Sequence, residues 1–471
     1  MRAIDAVIVL LYMVAMLVIG FLVKERTKSL EGYILGGRRF TTFVLAATFM
    51  ASLTGAGMTV GSSGQAYQVG AAMMWNYLGY AIGFIVFAFV AKRAREVGGR
   101  SLVEVISGRY GNVARFCSAV VAILYTVTLV GYSIMAIGSI LTYTGINITR
   151  ETAIVIVAVV TIIYTAMGGL WAVAITDVAQ FIIMLISIVI VAPIVAIKTA
   201  GGYGAVTAAA SAAGIEMWNP IPGVPFSLAL TWFLLVFLAT PGDPTVPQRM
   251  LAGKDDKQTR DGMIWAGIFA LVYGVALLIT GVAGRAIFPD LVAEYGTAEA
   301  ILPVVFMKVF PPVLSGLAIS GLLAAIMSTI DSMLLVAAIG VAYDIGKIFF
   351  PNASDKSYTN AVKYSVVVLG LVAMVIAMYI EAVFGAMLFV FSLTGAALVI
   401  PFMATLYWKP STSWGITAGI IFGAIVSLGQ FFSGVYLIGG DPVYAGMIAS
   451  ALGIIIGTAV QRMMRREASA A

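Results

Sequence analysis

Apolar positions in this chain neither alternate nor keep to one helical face. They run on for about twenty residues, stop at a short polar or glycine-rich break, and resume. A helix rising 1.5 Å per residue needs a run of about this length to cross a hydrocarbon layer about 30 Å thick. Thirteen such stretches are predicted: 4–23, 41–66, 71–91, 114–143, 152–167, 172–197, 226–245, 262–284, 312–343, 360–380, 383–407, 412–434 and 442–463. Only Arg2 precedes the first, and no small-residue cleavage site follows it, so it reads as a span and not a cleaved leader. The segment 199–225, rich in Gly, Ala and Pro, reads as an outer loop with one short helix. No linker or change of composition divides the chain, which is read as a single polytopic domain over 1–471.

Composition agrees and removes alternatives. Apolar residues make up 61% of the chain and charged residues 10%, against about 25% charged in soluble domains. A soluble enzyme, a disordered scaffold and a disulfide module are excluded. With no histidine and one cysteine, Cys117, catalytic triads, histidine metal sites, histidine proton relays and internal disulfides are excluded too. The basic residues orient the spans. With the N-terminus outside, 22 of the 27 fall on cytoplasmic segments, among them Lys24, Arg26, Lys28, Arg249 and Lys254. Arg2, Arg150, Lys198, Arg285 and Lys308 stay outside, and the C-terminus lies inside. The formal charge of +6 is this inside bias, so the partner is the lipid bilayer and not a nucleic acid.

Two spans should not run as unbroken helices. The second contains Gly55, Gly57, Gly61 and Gly64, and the seventh contains Pro241-Gly242-Asp243-Pro244 near its inner end. Irregular backbone is tolerated at membrane depth where it lines a cavity or is buried in protein. The interruptions open two successive five-helix blocks, spans 2–6 and 7–11, as in an inverted-repeat transporter whose site lies between two discontinuous helices.

The ninth span places Ala325, Ser328, Thr329 and Ser332 on one helical face. Paired hydroxyls beside a small residue offer hard oxygen ligands to sodium, with carbonyls freed at 51–54 able to complete the shell. The same spacing suits a packing stripe whose hydroxyls bond back to their own helix. Asp331 lies on the adjoining face, and Asp177 lies one turn into the sixth span with Gln180 beside it. Neither helix carries a cation at that depth, so each acid is expected to bind a cation, hold a proton or face water. If the two approach each other, they could share a second cation or one proton. Asp243 is expected to serve as a gate or helix-end group.

Three segments then resemble a known family. EGYILGGRRF before the second span, YTAMGGLWAV followed by Thr176-Asp177 and Gln180, and LLAAIMSTIDSMLL in the ninth span are similar to motifs of the sodium:solute symporters. The resemblance runs nearly end to end. It implies an all-α integral membrane protein with a leucine-transporter-like core of five plus five inverted helices, one helix before it and two after. The first repeat would cover 41–197 and the second 226–407, with 1–40 and 408–471 peripheral. It implies Na+ as coupling ion, held by Ala51, Thr54, Ala325, Ser328 and Thr329, and a second cation or proton site at Asp177, Asp331 and Ser332. It implies alternating-access import of a small-molecule substrate at the cell membrane.

For the substrate, the resemblance to proline-carrying members is weakened at named positions. Those members have aspartate where Leu53 stands, tryptophan where Gly57 stands, and aromatics near Val236 and Thr240. GRAIFPDL and MKVFPPVLSGLAISGLLAAIMST look closer to pantothenate-carrying members. The expectation is therefore a monocarboxylate such as pantothenate, with proline or another amino acid, or proton coupling through Asp177 and Asp331, as alternatives. Gly55, Gly57, Met73, Tyr77, Val236 and Thr240 are the expected substrate-lining residues.

Overall fold

The structure is a computed structural model that describes residues 1–23, 29–146, 148–215, 218–220, 224–379, 383–438 and 440–470. Lys24, Arg26 and Lys28, the end of the 360–380 span and parts of the 199–225 loop lie outside the described residues. All regular structure among the described residues is helical; the one strand-like pairing is a parallel bridge between Phe40 and Gly253. That bridge ties the entry of the second span to the exit of the seventh, with the Lys254 N–H donating to the Phe40 carbonyl at 2.9 Å.

Among the described residues, ten helices are long and apolar enough to cross a membrane. The first, α1 (Ala3–Val23), presents Leu10, Leu11 and Leu22 outward, as a lipid-facing helix should. Two further apolar helices are shorter, α2 (Thr42–Leu53) and α3 (Phe226–Ala239). Both shorten where the sequence anticipates a break. α2 ends at Leu53, the backbone departs from helical geometry at Thr54, and helix resumes by Gly57. α3 ends at Ala239, and the Pro-Gly-Asp-Pro segment leads into a separate helix, α4 (Thr245–Ala252).

The stretch Arg150–Thr199 is continuous by hydrogen bonding and 50 residues long, about 75 Å if straight, twice what a bilayer accommodates. It folds at Gly169, whose φ of 51° is left-handed and whose built Cβ would sit 2.5 Å from the Tyr33 carbonyl oxygen. Only glycine meets both demands. Among the described residues of 199–225 there is one short helix, Tyr203–Ala212.

The centre of the molecule is α5 (Leu314–Ile339), continued to Phe349; the most apolar window of this stretch is wholly buried. Its N-terminus follows Pro311-Pro312 and is satisfied from another span. Asp5, fully buried, accepts from the Val313 N–H at 3.0 Å and the Gly316 N–H at 3.1 Å. An acid on an otherwise apolar helix thereby satisfies two of the four orphan donors at a helix start.

Candidate ion and substrate sites

At the break in the second span, the last turn of α2 presents its carbonyls to α5. The Ser328 hydroxyl donates to the Ala51 carbonyl at 2.8 Å, and to the Ala324 and Ala325 carbonyls of its own helix at 2.9 and 3.0 Å. The Thr329 hydroxyl donates to the Ser52 carbonyl at 3.0 Å and lies 3.3 Å from the Ala325 carbonyl. Thr54 turns its hydroxyl to the Ala51 carbonyl at 3.1 Å, while its own carbonyl accepts from Thr59 at 2.5 Å. The five residues expected to hold sodium thus stand together, with neutral oxygens only. A Cβ on Gly55 would approach Thr329 Oγ1 to 2.9 Å, so glycine there lets the two spans meet. Both readings of the hydroxyl stripe are realised at once: the hydroxyls bond back to their helix and across to the broken span.

About one turn away lies a buried charge cluster. Thr48 donates to Asp177 Oδ2, and Tyr164 donates to Asp331 Oδ2 at 2.9 Å. Ser332 donates to Asp331 Oδ1 at 3.2 Å and lies 2.9 Å from the Ser52 hydroxyl. Gln180 does not join the acids but donates to the Tyr12 hydroxyl at 2.8 Å. Neither acid's own helix supplies a cation at this depth, but another segment does. Arg249, on α4, is wholly buried and enters the cluster. It donates to Ser332 Oγ at 2.6 Å, to Thr48 Oγ1 at 3.0 Å and to Asp177 Oδ2 at 3.4 Å. A guanidinium therefore stands between two of the three residues assigned to a second cation. The cluster keeps one more carboxyl than cation, and Asp177 Oδ1 has no partner.

Arg249 is the member of this cluster that sequence reasoning missed, because it stands among the basic residues of a segment read as an inner one. The available signal was its setting in TVPQRMLA, flanked by apolar residues directly after the Pro-Gly-Asp-Pro break. Every residue of α4 is buried.

A third feature is a small cavity of about 20 Å³ next to the hydroxyl pair. Gly55, Gly57, Tyr80, Tyr125, Tyr132 and Phe391 line it, together with Asp243, Thr329 and Met387. Of the six residues expected to line a substrate site, Gly55 and Gly57 line this cavity. The other four lie elsewhere. Val236 and Thr240 face the next helix, where built Cβ atoms on Gly79 and Gly83 would touch them at 2.4 and 2.7 Å. Tyr77 packs on Gly274 and bonds Ser62 at 3.0 Å, and Met73 is buried before the helix Met74–Phe87. Helical spacing alone could not show which face of the third and seventh spans turns inward.

Two further contacts join segments distant in the chain. Glu299 accepts from the Phe384 N–H at 3.0 Å and the Val383 N–H at 3.4 Å, at the start of the helix Val383–Thr394. Burial pushes the Glu299 carboxyl above its usual range, against the pull of these two N–H groups. Tyr67 donates to the Phe288 and Pro289 carbonyls, both at 2.9 Å.

The model of the sodium:solute symporter family matches residues 33–423. Similar relatives include the high-affinity proline transporter PutP of Bacillus subtilis, 30% identical over 87% of this chain and 88% of that one. The Escherichia coli sodium/proline symporter is 29% identical over 94% and 91%. Among solved structures, a Na+-coupled sialic acid symporter in a substrate-bound outward-open state superposes with a TM-score of 0.82 at 20% identity, covering 98% of both chains. A nucleobase-cation-symport-1 family transporter in a closed conformation gives 0.62 at 16%, covering 94% and 96%.

Proposed function

Because the chain belongs to the sodium:solute symporter family, we propose that it imports a small amino or imino acid together with sodium by alternating access. The observation that carries the coupling is the convergence of Ala51, Thr54, Ala325, Ser328 and Thr329 at the break in the second span. Five neutral oxygens suit one hard monovalent cation without trapping it. The repeats 41–197 and 226–407 then rock about this point. The thirteen crossings follow if 150–199 is divided at Gly169 and each broken span is taken as one crossing. The N-terminus outside, the C-terminus inside and the plasma membrane are part of the same proposal.

The choice of an amino or imino acid over pantothenate rests on the relatives, which include proline transporters of two bacteria, and on what replaces the missing aromatics. A Cβ on Gly57 would meet Met387 Sδ at 2.4 Å, so Met387 fills the volume of a side chain there. Tyr80, Tyr125, Tyr132 and Phe391 supply rings from other helices. A membrane voltage of about 100 mV contributes about 2.3 kcal/mol per charge and a tenfold sodium gradient about 1.4 kcal/mol. One sodium thus supports accumulation on the order of several hundredfold.

A second reading has its own observation. With Arg249 neutralising one acid, Asp331 is held only by the Tyr164 and Ser332 hydroxyls, and a proton or a second cation balances the remaining charge. Radiolabelled uptake into proteoliposomes separates the readings. Proline, pantothenate, lactate, pyruvate and acetate are offered under an inward sodium gradient and then under a proton gradient. Sodium-driven proline accumulation is expected. Accumulation of pantothenate without proline would overturn the substrate reading, and accumulation with protons alone would move coupling to Asp331.

A further inference from the structure

We propose that Asp243 binds a cationic nitrogen of the transported solute, so that an amine is a required part of the substrate. This rests on the proposed import of an amino or imino acid and assigns the residue that demands the amine. Among the described residues lining this small cavity, Asp243 is the single charged one. Its carboxyl is fixed but not fully used. Oδ1 accepts from the Thr245 N–H and hydroxyl, both at 2.8 Å, while Oδ2 accepts from the Tyr125 hydroxyl alone, at 3.0 Å. A carboxylate has room for about four such bonds, so one direction at Oδ2 is open.

No lysine or arginine among the described residues forms an ion pair with Asp243. The cation on the neighbouring helix, Arg249, is committed to Ser332, Thr48 and Asp177. A buried carboxylate without a cation is costly to maintain, and a substrate ammonium would relieve that cost on arrival. The walls suit the same group. Phe391 stacks against Tyr125 at 6.2 Å and meets Tyr80 edge-on at 6.3 Å, and ring faces attract ammonium. The Tyr132 hydroxyl has no hydrogen-bond partner among the described residues, leaving a further polar contact for a small solute. Three tyrosine rings, a phenylalanine and one carboxylate form a box for an alkylated ammonium. They offer no cation to a bare carboxylate.

The alternative role for Asp243 is that of a cap on α4, and Asp243→Asn separates the two. Asparagine keeps the acceptor toward Thr245 and removes the charge. Binding to the purified full-length protein is read by thermal shift with matched probes. L-proline and L-alanine are compared with cyclopentanecarboxylate and propionate, which lack the nitrogen, each in sodium and in potassium. A charge-assisted bond of about 1.5–3 kcal/mol predicts roughly 10- to 100-fold tighter binding of the amino acids to the wild type. In Asp243→Asn that ratio should fall below about threefold. Equal binding of the nitrogen-free probes by the wild type overturns the proposal, even if the variant does not fold. So does discrimination retained in a folded variant, and so does silence from both amino acids. Discrimination that persists in potassium keeps Asp243 as the anchor and removes the sodium coupling instead.

Discussion

Breaking the buried pair between Arg249 and Asp177 tests whether the guanidinium holds the second site. Both side chains are wholly shielded from solvent, at 3.4 Å between Nη2 and Oδ2. Replacing Arg249 with glutamine strands the Asp177 and Asp331 carboxyls beside the Ser332 and Thr48 hydroxyls. Removing one partner of a buried pair costs about 3–5 kcal/mol, mostly because the other charge is left uncompensated. Asp177→Asn strands the guanidinium in turn, though Ser332, Thr48 and the Thr245 carbonyl at 3.3 Å still accept from it; about 2–3 kcal/mol is expected there. In the double variant Asp331 is the one charge of the cluster left, and neither Asp177 nor Arg249 is stranded by the other's loss, so the effects should fall short of additivity by about 2 kcal/mol or more. Unfolding entropy of about 2.1 cal/mol/K per residue makes 1 kcal/mol worth about 1 °C in a chain of this length. The assay is thermal unfolding of the four purified proteins, followed by tryptophan fluorescence. Shifts of about 4 °C and 2–3 °C for the singles are expected, with the double shifted by at least about 2 °C less than their sum. Strict additivity within about 0.5 kcal/mol would refute the pairing and return the site to a mobile cation.

Ser328→Ala combined with Thr329→Ala removes two ligands and leaves the carbonyls. It should raise the sodium concentration for half-maximal uptake at least tenfold at unchanged expression, and an unshifted sodium curve would sink the site. Gly57→Trp should abolish uptake, because Met387 Sδ stands 2.4 Å from the built Cβ. Met387→Ala in the same chain should recover part of it, and no recovery would mean that Met387 is not what excludes a side chain at 57. Glu104 accepts from Lys347 at 3.1 Å, Arg115 at 3.3 Å and the Arg100 N–H at 2.9 Å. Burial raises its carboxyl, but the Lys347 and Arg115 charges outweigh that, and it titrates below its usual 4.5. A depressed carboxyl stabilises above its unfolded value and loses that stabilisation as pH falls. Glu104→Gln should therefore cost about 1–2 kcal/mol at pH 7 and nothing once the pH lies well below 4.5, as read by thermal unfolding across that range.

The parts of this protein that were legible in its sequence are those where one residue's chemistry leaves a local mark. Proline removes a donor and glycine weakens a helix whatever surrounds them, so Pro241–Pro244 and Gly55–Gly57 announced both broken spans. Two hydroxyls at adjacent helix positions announced the contact with the Ala51 carbonyl. What stayed hidden depends on pairs far apart in the chain. Leu53, Gly57 and the seventh span argued against an aromatic solute box only if the box had to be built from those positions. Met387 and Phe391, more than 300 residues on, fill the space and restore a ring. Arg249 was hidden for a sharper reason. Counting basic residues assigns a side to each segment but says nothing of depth, and a guanidinium that turns inward from a short helix is counted as a surface charge. The same blindness covers Asp5, an acid in an apolar run that looks unpaired until the start of α5 meets it. In a chain with this few charges, each buried one has a partner or an open direction. Asp5 has the N-terminus of α5 and Arg249 has Asp177. Asp243 has an open Oδ2 at the wall of the cavity, and a mobile solute is what remains to meet it.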